Sequence, residues 1–225
     1  MKRRLLSLLL LPLLASCSVE MLGPRPNGEL VALADQAHAT DRADDAAELE
    51  AEIARLCGTH ADGSVPTSCS YTVTPVEPAD AFAVTVDAVD EVPAASRDLL
   101  ARQAVALASG EADPVTLSEA AATQARALLD AEYAHLHGLE VAQAFHDVPA
   151  PLIDASEHRI HALRELLAPS GDVPVAAPGY AVSGDLQPAD EGFVAALESA
   201  REARWLRAVS DAQDDAWRAW VARTT

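Results

Sequence analysis

The stretch that decides the fold is LLDAEYAHLHG, residues 128–138. Its leucines recur at the spacing of one helix face, and Glu132 and His135 fall on that same apolar stripe. A buried carboxylate and a buried imidazole need polar partners, because burying an unpaired polar or charged group is costly. The stretch therefore predicts an inward-facing helix and marks Glu132 and His135 as the first candidates for a functional site.

The composition around this stretch favours helices along the whole chain. Half of the 225 residues are hydrophobic and only 4% are aromatic. Alanine, leucine and scattered charged residues lose little side-chain entropy in a helix, so we predict an all-α protein with one core of moderate size. The formal net charge of −19 repels phosphate backbones, and we therefore expect no nucleic-acid binding.

The first residues resemble the signal peptide of a bacterial lipoprotein. A positive segment, KRR at residues 2–4, precedes an apolar segment of about ten residues that is too short to cross the ~30 Å hydrocarbon core. The motif that follows is similar to a lipobox, Leu14-Ala15-Ser16-Cys17. The resemblance implies a signal peptide at residues 1–16, a lipidated Cys17 and a linker to residue 28. It predicts a lipid anchor on the extracytoplasmic side of the cell membrane.

Two cysteines remain once Cys17 carries lipid, and an even number in an oxidising compartment predicts a disulfide. Cys57 and Cys69 flank a segment rich in turn residues, and closing a loop of this size contributes about 3 kcal/mol. The alternative is a metal site of Cys57, His60 and Cys69, although this spacing matches no zinc pattern with four ligands. We predict the disulfide.

The rest of the chain predicts helices separated by Pro- and Gly-containing turns. We expect helices over residues 29–56 with a break near Thr40-Asp41, from about Asp80, over 96–108, from a cap at Thr116 or Ser118 to Phe145 or His146, over 152–168, and over 189–222 as one helix or two. Near Asp80 the alternation of Phe82, Val84 and Val86 also fits a strand, but the helical neighbourhood favours a short helix. Residues 71–92 are the least regular part. The mature chain divides into an N-terminal helical region, 29–114, and a second helical region, 115–225, which we expect to form one compact domain.

Residues 118–210 carry several motifs in a fixed order. They are Glu132, Ala134 and Gly138 on one helix, His158-Arg159 on the next, then Gly171-x-x-Pro174 and Tyr180, and Glu198 on a third helix. In this order and spacing the segment resembles an actinobacterial ferritin-like domain of unknown function. The resemblance implies a ferritin-like up-and-down helical bundle, here with an N-terminal helical extension and one disulfide-closed loop. We expect a helix from the N-terminal region to complete the bundle.

A di-metal site is one functional hypothesis for such a bundle. Ferritin-like di-iron proteins use a Glu from each of two helices and a Glu-x-x-His motif from each of the other two. Glu132 and His135 have that spacing once, and the two following helices offer acidic and His residues about one turn apart. Iron, manganese or zinc suits such a set of ligands, and iron or manganese is the metal of the alternative function. The candidate ligands are Glu132, His135, Glu157, His161, Glu198 and Glu202.

The other hypothesis is a bundle without metal, in which Glu132 pairs with Arg159 or Arg201. A second Glu-x-x-His motif is missing, and no sequence motif of a hydrolase, a phosphate-binding loop or a metalloprotease is present. We therefore expect no catalytic residues and a binding or envelope structural role, with an envelope protein or a small ligand as partner. The alternative function is a ferritin-like di-metal carboxylate protein with redox or metal-storage activity. We expect His137 and His146 on the surface.

Overall fold

The computed structural model describes residues 23–181 and 186–225, and this part of the chain is all-helical, as predicted. None of its helices is long and apolar enough to cross a membrane. The predicted signal peptide and Cys17 lie outside the described residues. The described chain holds eight α-helices and no β-strand: α1 Gly28–Ala39, α2 Ala43–Cys57, α3 Ala81–Ala88, α4 Arg97–Leu107, α5 Glu119–Ala142, α6 Ala150–Leu167, α7 Phe193–Asp211 and α8 Asp215–Thr224.

Side-chain caps fix where four of these helices begin. At the start of each of these helices, a side-chain oxygen accepts a hydrogen bond from the backbone N–H three residues further on. The capping residues are Asn27 for α1, Asp80 for α3, Ser118 for α5 and Asp214 for α8. Each bond satisfies a helix N–H that has no partner within the helix. The short helix predicted from about Asp80 is therefore confirmed as α3.

Helix boundaries follow the sequence prediction in some places and depart from it in others. The break predicted near Thr40-Asp41 is confirmed, and Asp41 takes a positive φ of 54° there. The segment predicted from residue 189 is two helices, and α7 begins only after Gly192, whose φ is 87°. The predicted end of α5 at Phe145 or His146 is wrong, because the helix ends at Ala142 and turns follow it.

Two apolar clusters make up most of the core, and α3 and α4 contribute to both. Leu30, Leu49 and Leu100 lie in the first cluster, which joins α1, α2, α3 and α4. The second joins α3 and α4 to α5, α6, α7 and α8 around Trp205 and Trp217. The predicted N-terminal region therefore packs directly against the predicted C-terminal region.

The disulfide predicted between Cys57 and Cys69 is present. The two sulfur atoms lie 1.95 Å apart and the two Cα atoms 6.3 Å apart. The bond ties the last residue of α2 to the turn at Thr67–Cys69. The loop of residues 58–66 is largely exposed, so this cross-link holds a segment that has few apolar contacts of its own.

Candidate functional site

Three helices place the polar side chains of the candidate site, each through the helical repeat. On α5, Glu132 and His135 lie one turn apart and both face inward, with 1% and 5% of their surface exposed. On α6, Ser156 and Arg159 share the same spacing and are also buried. The third helix, α7, contributes Glu198, Arg201 and Trp205. The predicted inward orientation of Glu132 and His135 is thus confirmed.

Both carboxylate oxygens of Glu132 are occupied by hydrogen-bond donors. Ser156 Oγ and Arg159 Nε donate to Oε2 at 3.0 and 3.1 Å, and Trp205 Nε1 donates to Oε1 at 2.6 Å. The Arg159 guanidinium compensates the buried negative charge, and the other two donors satisfy the remaining oxygen lone pairs. Of the two pairings proposed from the sequence, the structure shows the one with Arg159. We call Glu132, Ser156, Arg159 and Trp205 the Glu132 network.

His135 is buried one turn away without an equivalent set of partners. Its Nε2 lies 2.9 Å from Glu198 Oε1, but no hydrogen bond joins the two atoms, and neither has another hydrogen-bond partner among the described residues. The other Glu198 oxygen accepts a hydrogen bond from Arg201 Nε at 3.2 Å. Arg201 Nη1 is a further buried nitrogen without a partner in this part of the chain.

Burial decides the charge of His135. Loss of solvent lowers the pKa of its imidazole, and the positive charges of Arg159 and Arg201 act in the same direction. Glu132 and Glu198 oppose this shift but do not overcome it. His135 is therefore a neutral imidazole near pH 7, and its contact with Glu198 is not a fully formed ion pair.

The other predicted metal ligands do not join this cluster. Glu157, His161 and Glu202 are exposed, and His161 Nε2 lies 3.2 Å from Glu165 on its own helix. Among the described residues, no three carboxylate, imidazole or thiolate groups form a cluster that could hold a metal ion. The six candidate ligands therefore do not converge on one point, and their arrangement does not fit a di-metal centre. Metal binding stays a prediction.

A cavity of about 160 Å³ lies beside His135, between facing sides of α5 and α7. Gly138 shapes it, because a Cβ atom at that position would lie only 3.0 Å from Leu197 Cδ1. The glycine thus permits a close approach of the two helices. The cavity is half-open, and its described lining combines apolar and polar side chains, including Ala134, His135, His137, Gly138, Tyr180, Phe193, Leu197, Arg201 and Arg204.

Two histidines expected on the surface are half-buried instead. His137 lines the cavity, and its ring centroid lies 5.8 Å from that of Tyr180. His146 Nε2 lies 2.8 Å from the backbone oxygen of Pro188. Both histidines contact the irregular chain between α6 and α7, whose path the sequence pattern did not predict. Both side chains are thus partly exposed, and each also has a contact that the surface prediction did not foresee.

Sequence reasoning also missed the role of Arg204, Phe193 and Leu197 in lining this cavity. The available signal was the spacing of Arg201 and Arg204, which lie one turn apart on the helix that carries Glu198. The chain matches no protein-family model, no curated protein and no solved structure. The ferritin-like resemblance therefore stays a prediction from sequence motifs.

Proposed function

We propose that this protein is a lipid-anchored, extracytoplasmic helical bundle with a binding or envelope structural role and without catalysis. The observation that carries the proposal is the Glu132 network. Glu132 is the residue that a carboxylate-based metal site or an acid–base reaction would need first, and its oxygens already accept three hydrogen bonds in the core. A carboxylate held in this way serves to fix α5, α6 and α7 relative to one another.

We further propose that α4, α5, α6 and α7 form a ferritin-like bundle that has lost most of the metal-ligand set. The pairwise packing of α5 with α6, α5 with α7, and α4 with α7 supports this assignment. Glu132 and His135 keep the Glu-x-x-His spacing of such bundles. In place of ligands from the neighbouring helices, Glu132 meets Arg159 and Trp205.

The anchor is the acylated Cys17 of the proposed mature protein. A multiply acylated cysteine holds a protein on a membrane, because each buried CH₂ contributes about 0.8 kcal/mol. The disulfide between Cys57 and Cys69 supports an oxidising location outside the cytoplasm. The acidic composition suits a soluble surface next to the membrane, and a partner is either an envelope protein or a small ligand.

Fractionation of the host cell tests the proposed anchor. Wild-type protein should sediment with membranes, Cys17→Ala should move to the soluble fraction, and the neighbouring Ser18→Ala should behave as wild type. Membrane association of Cys17→Ala that survives a carbonate wash would contradict lipid anchoring through this residue.

A further inference from the structure

The chain between the disulfide and α3 is exposed and forms neither a helix nor a strand. All but one of residues 70–80 are exposed, and we call this segment the strap. Its backbone is extended at both ends, with φ and ψ of −60° and 122° at Ser70 and of −62° and 107° at Asp80. Pro75 and Pro78 fix their own φ at about −65° and disfavour helical backbone at the residue before each of them. The strap is therefore an extended segment on the surface.

Hydrogen bonds to α1 hold one side of the strap in place. Asp35 accepts a hydrogen bond from Tyr71 Oη and another from Thr74 N, both at 2.7 Å. Gln36 Nε2 donates to the backbone oxygen of Glu77 at 3.0 Å. The extended shape is thus fixed by the protein itself, and the rest of the strap faces solvent.

The strap and the loop before it are rich in hydroxyl side chains. Half of residues 64–75 are serine or threonine, namely Ser64, Thr67, Ser68, Ser70, Thr72 and Thr74. In the loop, Ser64 Oγ donates to Asp62 and Ser68 Oγ donates to the backbone oxygen of Pro24. In the strap, the hydroxyls of Ser70, Thr72 and Thr74 are exposed and make no hydrogen bond to a described residue. These three hydroxyls are therefore accessible to a modifying enzyme.

The composition of this region favours a sugar as the modification. Segments rich in serine and threonine that also contain proline are typical sites of O-glycosylation. A phosphate would add negative charge beside Glu77 and Asp80 in a chain of net charge −19, whereas a neutral sugar adds none. Asn27, the only asparagine of the sequence, is followed by Gly28-Glu29 and does not match the motif for N-linked sugar. An O-linked sugar is the remaining type of glycan.

A sugar on the strap also suits its apolar side chains. Val73 and Val76 are 45% and 37% exposed, although neither contributes to a described helix. Exposed irregular segments are preferred sites of proteolytic cleavage, and a bulky, solubilising glycan covers both the backbone and such side chains.

We propose that Ser70, Thr72 and Thr74 are acceptor sites for O-linked sugar. The proposal rests on the extracytoplasmic location proposed above, and the donor is a sugar held on a lipid phosphate. The hydroxyl oxygen forms a bond to the anomeric carbon of the sugar, and the bond from that carbon to the phosphate oxygen breaks. The lipid phosphate leaves with the electron pair, and the hydroxyl proton passes to a base of the transferase, so no oxidant or reductant is needed.

Mass spectrometry of the full-length protein purified from its native host tests the proposal. The intact wild-type protein should carry the mass of one or more sugar residues, hexose or N-acetylhexosamine. Peptide fragmentation that keeps side-chain modifications in place should locate them on Ser70, Thr72 or Thr74. An unmodified strap, or a strap that carries phosphate instead of sugar, would overturn the proposal.

A matched pair of variants tests the position of the sugar. Ser70→Ala, Thr72→Ala and Thr74→Ala combined should remove the added mass from the strap, and their exposure leaves the fold intact. Ser199→Ala removes an exposed hydroxyl that lies on the helix α7, and this control should keep the full added mass. An unchanged sugar content in the triple variant would contradict the proposed sites.

The fraction from which the protein is purified separates this proposal from that of the lipid anchor. An unmodified strap in protein that sediments with membranes would overturn the glycosylation and leave the anchor intact. A sugar-bearing strap in protein that remains in the soluble fraction would support the glycosylation and contradict the anchor.

Discussion

Glu132 and His135 lie one turn apart on α5 and are both buried, yet their surroundings differ. Glu132 is surrounded by three donors from α6 and α7, and none of its oxygens lacks a partner. His135 lies close to Glu198 without a hydrogen bond between them, and it borders a cavity. The first environment is fully hydrogen-bonded, whereas the second leaves His135 Nε2 and Glu198 Oε1 without a hydrogen bond.

This difference separates a residue that joins three helices through hydrogen bonds from one that does not. A fully satisfied buried network stabilises one arrangement of helices and loses much when any member is removed. A buried polar group without a hydrogen bond adds little to stability or lowers it, because nothing replaces the hydration that it loses on folding. We therefore expect substitutions at the two positions to have effects of very different size, and the following predictions test that expectation.

The largest effect is expected for Glu132→Ala, which leaves the Arg159 guanidinium and the Trp205 N–H buried without their partner. We expect the free energy of unfolding to fall by about 3–5 kcal/mol, as measured by urea denaturation near neutral pH. Glu140→Ala, at an exposed position of the same helix, is the control and should change stability by less than about 0.5 kcal/mol. Equal stabilities of the two variants would show that the Glu132 network does not hold the helices together.

A smaller loss is expected for Trp205→Phe, which keeps an aromatic ring in the core and removes the donor to Glu132 Oε1. Trp220→Phe is the matched control, since the structure records no indole hydrogen bond for Trp220 among the described residues. The stability lost by Trp205→Phe should exceed that lost by Trp220→Phe by about 1–3 kcal/mol. Equal losses of stability in the two variants, measured by thermal or urea unfolding, would show that the hydrogen bond from Trp205 to Glu132 does not stabilise the fold.

Lowering the pH should reduce the free energy of unfolding, and His135 should contribute to this loss. Because the pKa of its imidazole is lowered in the folded protein, the unfolded chain takes up a proton near its ordinary pKa of 6.5 before the folded chain does. The contribution of neutral His135 is therefore complete above pH 6.5 and is lost as the pH falls from there toward the folded pKa. Glu132, Glu198, Arg159 and Arg201 are the charged groups that face it.

The pH effect is isolated by comparing unfolding of wild type and His135→Leu between pH 7.5 and pH 5. The difference in stability between them should shift in favour of His135→Leu as the pH falls, because leucine takes up no proton. A difference that stays constant over this range would contradict the lowered pKa of His135.

The smallest effect is expected for His135→Leu near neutral pH. The imidazole makes no hydrogen bond through Nε2, so an apolar side chain of similar volume should change the unfolding free energy by less than about 1 kcal/mol. Urea denaturation in parallel with Glu132→Ala gives the direct contrast. A loss of unfolding free energy as large as that of Glu132→Ala would show that His135 also stabilises the packing of the helices.

The sequence predicted the elements of this fold better than it predicted their ends. Helical periodicity and capping residues such as Asp80 and Ser118 act locally, so the existence of α3 and α5 follows from nearby residues. The extended segment before α3 depends on distant contacts, in which Asp35 of α1 accepts hydrogen bonds from Tyr71 Oη and Thr74 N, both at 2.7 Å. No local pattern contains that information.

The candidate site was also predictable from the sequence only where local residues determine it. The burial of Glu132 and His135 followed from helix phase, and the cost of a buried charge predicted an arginine partner for Glu132, either Arg159 or Arg201. The donation from Trp205, 73 positions along the chain, depends on how α7 packs on α5. The close packing of Leu197 on Gly138 depends on both α5 and α7, and no single helix pattern reveals it.

The most direct test of the central claim is metal analysis of wild type and Glu132→Ala purified from the native host. Since Arg159, Ser156 and Trp205 occupy the carboxylate, we predict far less than one iron or manganese ion per chain and no difference between the two proteins. Near-stoichiometric iron or manganese in wild type that disappears in Glu132→Ala would contradict the account and restore the di-metal hypothesis.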